Sequence, residues 1–257
     1  MTFDEVADLY DAARPGYPAE LVEAVTSVLQ GTQKRILEIG CGTGQATLPF
    51  ARLGCRITAL EPGQNLAQLA AQNLAEFPQV EIQTVTFEEW SVAAGQYDLV
   101  LSATAFHWVT PAQRYKKSAE ALAEGGWLAL FWNREAKDES QLGQQLQAVY
   151  DTHMPASSAH PYATHLPTGG GTQNASSVWQ EEIDRSHLFG AVQVRQFSWT
   201  QWYTTAQYLR LLKTYSDHRA LPPETKQALF SGIAEVLAQH GGGRNKPYLT
   251  VLYSAQV

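Results

Sequence analysis

The run Leu37-Glu38-Ile39-Gly40-Cys41-Gly42-Thr43-Gly44 constrains this chain more than any other stretch. Residues 35–39 read as a short apolar strand, and 45–53 can form the helix that follows, with Gly54 ending it. Glycines between a strand and a helix let the backbone turn sharply and let a ligand approach without Cβ clashes. The spacing Gly-x-Gly-x-Gly departs from the dinucleotide fingerprint Gly-x-Gly-x-x-Gly. Glu38, two residues before Gly40, sharpens the distinction. A carboxylate beside the loop repels a pyrophosphate and suits a cationic ligand.

The segments after this loop alternate between strand and helix. Strands are predicted over 55–60, 80–85, 97–101 and 127–132. Helical faces lie between them, with Leu66, Leu69, Ala70 and Leu74 on one and Tyr115, Ala119 and Leu122 on another. The 97–101 run is nearly continuous in apolar residues, as a strand covered on both faces should be. Such alternation implies a parallel sheet with right-handed crossovers. A helix over 18–30, opened by Pro18, precedes the first strand.

After residue 133 the rhythm changes. Helices are predicted over 139–153, 204–215 and 222–239, and strands over 191–199 and 248–255. Residues 155–177, rich in Pro, Ser, Thr and Gly, read as a long loop.

Composition narrows the function classes. The 257 residues are 44% hydrophobic, enough for a sizeable core in one domain with insertions. With 25 acidic and 18 basic side chains the formal charge is −7, which argues against a nucleic-acid partner. The longest apolar runs fall short of the ~20 residues of a membrane span. The start, Met1-Thr2-Phe3-Asp4-Glu5, is acidic where a signal peptide is basic, so a cytoplasmic location is expected. Cys41 and Cys55 form no disulfide framework and read as small core residues. No metal site is expected, because His160 and His165 have no cysteine or acidic neighbours in the sequence. Asn174-Ala175-Ser176 fits a glycosylation sequon that carries no weight in a cytoplasmic chain, and Ser102 lacks the Gly-x-Ser-x-Gly setting of a hydrolase nucleophile.

Glu61 ends the second predicted strand, 21 residues after Gly40. A carboxylate there accepts hydrogen bonds from ribose hydroxyls in nucleotide-binding and adenosyl-binding folds alike. Taken together, LEIGCGTGQAT, the strand-end LEPG, TFEEW, YDLVLSATAFHW and LAEGGWLALF resemble class I S-adenosylmethionine-dependent methyltransferases of the methyltransferase type 11 group. The likeness covers about residues 33–133. The opening YDAARPGYP also resembles the N-terminal segment of such enzymes.

The resemblance implies an α/β, Rossmann-like three-layer sandwich. Its sheet has seven strands, mostly parallel with an antiparallel last strand, and carries helical cap insertions. It also implies one methyltransferase domain over 1–257. The cofactor-binding core would be 33–133, the cap and substrate elements 1–30 and 135–240, and the final strand 247–256. The cofactor would be S-adenosylmethionine, whose sulfonium and ammonium suit a neighbouring carboxylate. Glu38, Gly40, Gly42 and Gly44 would surround its methionine and ribose portions. Glu61 would hold the ribose hydroxyls, with Pro62 shaping the turn. Many relatives have Asp where this chain has Thr86, so a hydroxyl replaces the carboxylate at the adenine amino group. The backbone N–H of Phe87 would donate to the adenine ring. Ser102 and Ala103 would lie along the methionine portion, and Arg14 would pair with its carboxylate or else be a solvated surface residue.

The acceptor side is less determined. His107 and Trp108 follow the fourth predicted strand, at the edge where open α/β folds bind substrates. His107 is the candidate catalytic residue: a general base, a substrate-positioning group or a structural histidine. Tyr10, Tyr17, Trp199, Trp202 and Tyr203 are pocket candidates. The aromatic cluster that Trp199, Trp202 and Tyr203 form with Tyr208 and Tyr215 reads first as packing of the added helices, and second as a wall over a planar acceptor. A cap built from the segment around Tyr10, Arg14 and Tyr17 and parts of 135–240 is expected to close over the carboxyl edge, with Gly169-Gly170-Gly171 as flexible backbone.

The leading reading is transfer of a methyl group to a small-molecule acceptor, mainly by proximity and alignment. The alternatives are an NAD(P)-dependent oxidoreductase, which shares a glycine loop and a strand-two acid, and a non-catalytic cofactor-binding protein.

Overall fold

A computed structural model describes residues 4, 11, 14–29, 31, 34–92, 94–154 and 175–257. Tyr10, His160, His165, Gly169-Gly170-Gly171 and Asn174 lie outside the described residues, as does most of the expected 155–177 loop. Two compact units share the chain. The larger lies within Gly16–Asn133, Leu166–Phe197 and Thr250–Val257, the smaller within Met1–Pro15, Arg134–His165 and Ser198–Leu249.

A seven-stranded sheet runs in the order β3-β2-β1-β4-β5-β7-β6. Its strands are β1 (Arg35–Ile39), β2 (Arg56–Leu60), β3 (Val80–Gln83), β4 (Tyr97–Ala103), β5 (Leu122–Glu135), β6 (Gln193–Thr204) and β7 (Gly243–Gln256). β1 pairs in parallel with β2 and β4, β2 with β3, and β4 with β5. The last strand is antiparallel. Val257 N–H donates to Gly126 O at 2.9 Å and Ala136 N–H to Pro247 O at 3.3 Å, so β5 rises in number as β7 falls.

Helix α1 (Ala19–Thr26) precedes β1, and the crossover helices are α2 (Thr47–Arg52), α3 (Gln64–Asn73) and α4 (Pro111–Ala121). A 3-10 turn, Phe106–Trp108, leads from β4 towards α4. Pro111 opens α4, where a missing N–H is harmless. The core of the larger unit gathers Leu21, Val25, Ile36, Phe50, Ile57, Leu99, Leu101, Phe131 and Leu252. Cys41 and Cys55 are buried free thiols, and burial pushes both pKa values up. Opposite the glycine loop, the start of β1 is tied to the start of β4. Arg35 gives Asp98 its backbone N–H at 2.8 Å and guanidinium bonds at 2.7 and 3.2 Å.

Beyond β5 the elements are α5 (Gln141–His153), α6 (Ala175–Ser186), α7 (Thr205–Lys213), α8 (Ser216–Ala220) and α9 (Pro223–Gln239). The smaller unit packs Leu146, Tyr150, Leu211, Leu229, Ile233 and Leu237. Its polar side chains are also buried in pairs. Lys246 meets Glu135 at 2.6 Å and Arg244 meets Asp138 at 2.6 Å. His218 bridges Tyr150 and Asp217, at 3.0 and 2.8 Å.

Four boundaries differ from expectation for identifiable reasons. Residues 175–177, read as loop, open α6, whose Trp179 and Ile183 sit one helical turn apart and are both buried. Gly125 and Gly126 do not separate helix from strand. β5 already begins at Leu122, and both glycines sit where its register with β4 shifts between Tyr97 and Leu99. β6 and β7 run longer than the apolar runs suggest, and the expected 204–215 helix is α7, which ends at Lys213 and is followed by the short helix α8, which was not expected.

Candidate functional site

The carboxyl ends of β1, β2 and β4 build the site in the larger unit. Gly40 and Gly44 lie at φ +72° and +94°, in the left-handed region, so L side chains there are strained. Space forbids them as well: a Cβ on Gly40 would lie 2.4 Å from that of Ala105, and one on Gly44 3.0 Å from Leu74 Cδ1. The Gly40 and Cys41 N–H groups donate to Leu60 O at 2.8 and 3.1 Å, hooking the loop to the end of β2. Asn73 Nδ2 donates to Thr43 O at 2.9 Å, fixing its other side from α3.

Glu61 is buried beneath this loop. Its Oε2 accepts from Gly42 N–H and its Oε1 from Gly63 N–H, both at 2.9 Å. The carboxylate thus braces the glycine loop and the turn after β2. A carboxylate at the end of the second strand beside a glycine turn is the acceptor type that ribose hydroxyls meet in nucleotide- and adenosyl-binding folds.

Glu38 is the electrostatic anomaly. It is 0% exposed, and neither carboxylate oxygen has a hydrogen-bond partner. Burial pushes its pKa up to about 7, helped by the neighbouring Glu61 charge and opposed by the Thr47 hydroxyl. Thr47 Oγ1 is itself buried without a hydrogen-bond partner. A carboxyl group kept dry and unbonded is costly unless a partner arrives. Two unbonded carboxylate oxygens at the end of β1 suit a cationic ligand, and the Glu61 carboxylate lies at the neighbouring end of β2.

The other expected cofactor positions divide. Ser102 is fully buried and its hydroxyl donates to Ile39 O at 2.8 Å, so it ties β4 to β1. Ala103 ends β4 half-buried. Thr86 Oγ1 donates to Glu89 Oε2 at 2.9 Å and accepts from Glu89 N–H at 3.2 Å, closing a tight turn. Phe87 is buried in that turn, its ring stacked at 6.2 Å on Trp90. Pro62 lies between Glu61 and Gly63 in the turn that Glu61 closes. Arg14 belongs to the smaller unit, where its guanidinium lies 5.3 Å from the Tyr215 ring centroid.

The acceptor candidates also divide. His107 and Trp108 share the 3-10 turn, ring to ring at 4.9 Å; His107 is half-buried and Trp108 71% exposed. Tyr17 packs edge-on against Phe131 at 4.8 Å in the larger unit. Trp199, Trp202 and Tyr203 belong to the smaller unit. There Trp199 stacks on Tyr248 at 5.0 Å and the Tyr203 and Tyr248 hydroxyls meet at 3.1 Å, while Trp202 is half-exposed. Within that unit the packing role of Tyr203, Tyr208 and Trp199 is evident. Sequence reading did not single out Thr47, whose hydroxyl lies beside Glu38. A threonine opening a helix carries no pattern that marks it.

Known proteins resemble this chain in sequence and in fold. Residues 36–126 match a family profile described as a methyltransferase domain. An uncharacterised methyltransferase of Mycobacterium bovis is 26% identical over 262 residues, covering 99% of this chain and 95% of its own. The structure of an Anabaena variabilis protein, named as a methyltransferase from an antibiotic biosynthesis pathway, superposes with a TM-score of 0.64 at 16% identity, over 94% of this chain and 98% of that one. The phosphoethanolamine N-methyltransferase 2 of Haemonchus contortus, solved with phosphomonomethylethanolamine and S-adenosylhomocysteine, gives a TM-score of 0.55 at 12% identity. That match covers 98% of this chain and 57% of the larger one. At these identities the structural matches speak for the fold.

Proposed function

We propose that this chain, which is a class I S-adenosylmethionine-dependent methyltransferase, methylates a small-molecule acceptor mainly by aligning the two reactants. The observation that carries the reading is Glu38, a buried carboxylate with both oxygens unbonded at the end of β1. When bound, S-adenosylmethionine supplies an electrophilic methyl group on a positively charged sulfur. Glu38 would answer its cationic methionine end, and Glu61 its ribose hydroxyls. Gly40, Gly42 and Gly44 keep side chains out of the loop, and Pro62 shapes the turn that follows Glu61. The Thr86–Phe87 turn would border the adenine, with the Phe87 N–H as donor. Its Thr86 hydroxyl is engaged with Glu89, so it would take a smaller part. Ser102 and Ala103 would carry the methionine portion past β4.

A small acceptor fits the formal charge of −7, which disfavours polyanions. The H. contortus enzyme, solved with a small phosphorylated amine, offers a structural precedent. His107 at the carboxyl end of β4 would orient the acceptor, or take its proton where the nucleophile carries one. A carboxylate acceptor needs no base, so alignment alone can suffice.

The reading is tested by incubating the protein with methyl-labelled S-adenosylmethionine and separate pools of small metabolites, protein and nucleic acid. Label is expected in a low-molecular-weight product. Label only in macromolecules would overturn the acceptor class, and no transfer to any pool would favour a non-catalytic cofactor-binding protein.

A further inference from the structure

Thr104, the residue after β4, lies at φ +57°. A β-branched residue in the left-handed region is a true outlier, persisting only where its surroundings over-determine it. Glycine or asparagine would hold the same turn at lower cost. The side chain must therefore do something that the turn alone does not require.

Its surroundings are a chain of polar contacts within the larger unit. Thr104 N–H donates to Phe131 O at 2.9 Å, and Thr104 Oγ1 meets the Tyr17 hydroxyl at 3.0 Å. Asn133 Nδ2 donates to the neighbouring Gly16 carbonyl at 2.9 Å, and Thr250 Oγ1 donates to Asn133 Oδ1 at 2.6 Å. The edge contact with Phe131 fixes the Tyr17 ring. Three strands, β4, β5 and β7, thus lock one tyrosine hydroxyl against one strained threonine. The next residue, Ala105, fills the space beside Gly40 that a side chain there would need. Thr104 is therefore one residue from the glycine turn that opens the cofactor loop. It is only half-buried, so its hydroxyl is not sealed into the core.

We propose that Thr104 is a methyl-facing residue: its hydroxyl oxygen, set by Tyr17, contacts the sulfonium end of S-adenosylmethionine and favours the methyl donor over its demethylated product. Tyr17 is the positioning residue, and Asn133 and Thr250 hold the segment that carries it. The inference rests on the cofactor reading above. The chemistry is that of an oxygen lone pair meeting C–H bonds polarised by an adjacent positive sulfur. Thr104 Oγ1 has two lone pairs, so one remains even where it accepts from Tyr17. S-adenosylhomocysteine lacks both the charge and the methyl, so it cannot make this contact, and changes at Thr104 act on the methyl donor alone.

Calorimetric titration of the full chain with S-adenosylmethionine and with S-adenosylhomocysteine tests the proposal without knowledge of the acceptor. Thr104→Ala and Tyr17→Phe are each expected to lower the preference for the methyl donor roughly three- to fivefold. Affinity for S-adenosylhomocysteine should stay within about twofold, and Thr104→Ser should keep the wild-type ratio, since both follow from the hydroxyl contact alone. An equal loss for both ligands, or no change in either, would reduce the pair to a structural role and overturn the proposal. Should Thr104→Ala fail to fold, Tyr17→Phe keeps the ring against Phe131 and carries the test. If the wild-type chain binds neither ligand, the cofactor reading itself fails and this inference with it.

Discussion

Glu38 holds a buried carboxyl group in the sheet with neither oxygen in a hydrogen bond, and burial, opposed by the nearby Thr47 hydroxyl, raises its pKa to about 7. Because the folded-state value is raised, the folded chain binds this proton more tightly than the unfolded one. The group's contribution is then most favourable below the unfolded pKa of roughly 4.3, and stability is lost as pH rises towards about 7. Over that window the loss approaches about 3 kcal/mol. Glu38→Gln should therefore stabilise the ligand-free chain at pH 8 and flatten the pH dependence, as chemical denaturation at several pH values would show. The same variant should weaken S-adenosylhomocysteine binding. In the wild type a cationic ligand must displace the Glu38 proton below pH 7, so affinity should fall as pH drops from 8 to 6. Calorimetry in buffers of different ionisation heat should detect the released proton. Glu61 has a different role, since both its oxygens already hold backbone N–H groups of Gly42 and Gly63. Glu61→Ala removes those bonds together with the diol acceptor, and should cost about 1–3 kcal/mol of cofactor affinity while leaving the fold intact. Unchanged calorimetric affinity would remove Glu61 from the site.

Among the elements, α6 depends most on one polar contact. Glu182 pairs with the buried Arg114 of α4 and accepts from Tyr115 Oη at 2.9 Å, while Trp179 stacks on Trp132 at 4.6 Å. Removing one partner of a buried ion pair leaves the other charge uncompensated. Glu182→Ala should lower the unfolding free energy by about 3 kcal/mol, whereas Glu181→Ala, in an exposed pair with Arg185, should change it by less than about 1 kcal/mol. Equal effects in thermal melts would contradict that assignment. α6 was illegible in the sequence because its first turn continues a run of small polar residues, and its apolar positions Trp179 and Ile183 are too few to establish a period. The central strands β1 and β4 were legible for the opposite reason. Ile36-Leu37 and Leu99-Val100-Leu101 are apolar runs followed by turn residues, and burial on both faces selects for such runs. The site was half legible. Glu38 and Glu61 stand at fixed offsets from glycines that only a backbone of this shape requires. Thr104 and its tie to Tyr17 join residues 87 positions apart, and nothing local in either segment announces the pair.

For the whole molecule, the account predicts one ligand class. The strand order from β3 to β5 and the glycine loop at the end of β1 are common ground for cofactor-binding α/β folds, whereas the antiparallel last strand departs from the parallel dinucleotide-binding sheet. Charge separates them further, because a dry carboxylate at Glu38 opposes a pyrophosphate and favours a sulfonium and an ammonium. No helix among the described residues is long and apolar enough to cross a membrane. The most direct measurement is calorimetric titration of the full chain with S-adenosylhomocysteine and, separately, with NAD. The account predicts saturable binding of S-adenosylhomocysteine at one site, with a raised melting temperature, and no binding of NAD. Saturable binding of NAD without binding of S-adenosylhomocysteine would contradict it.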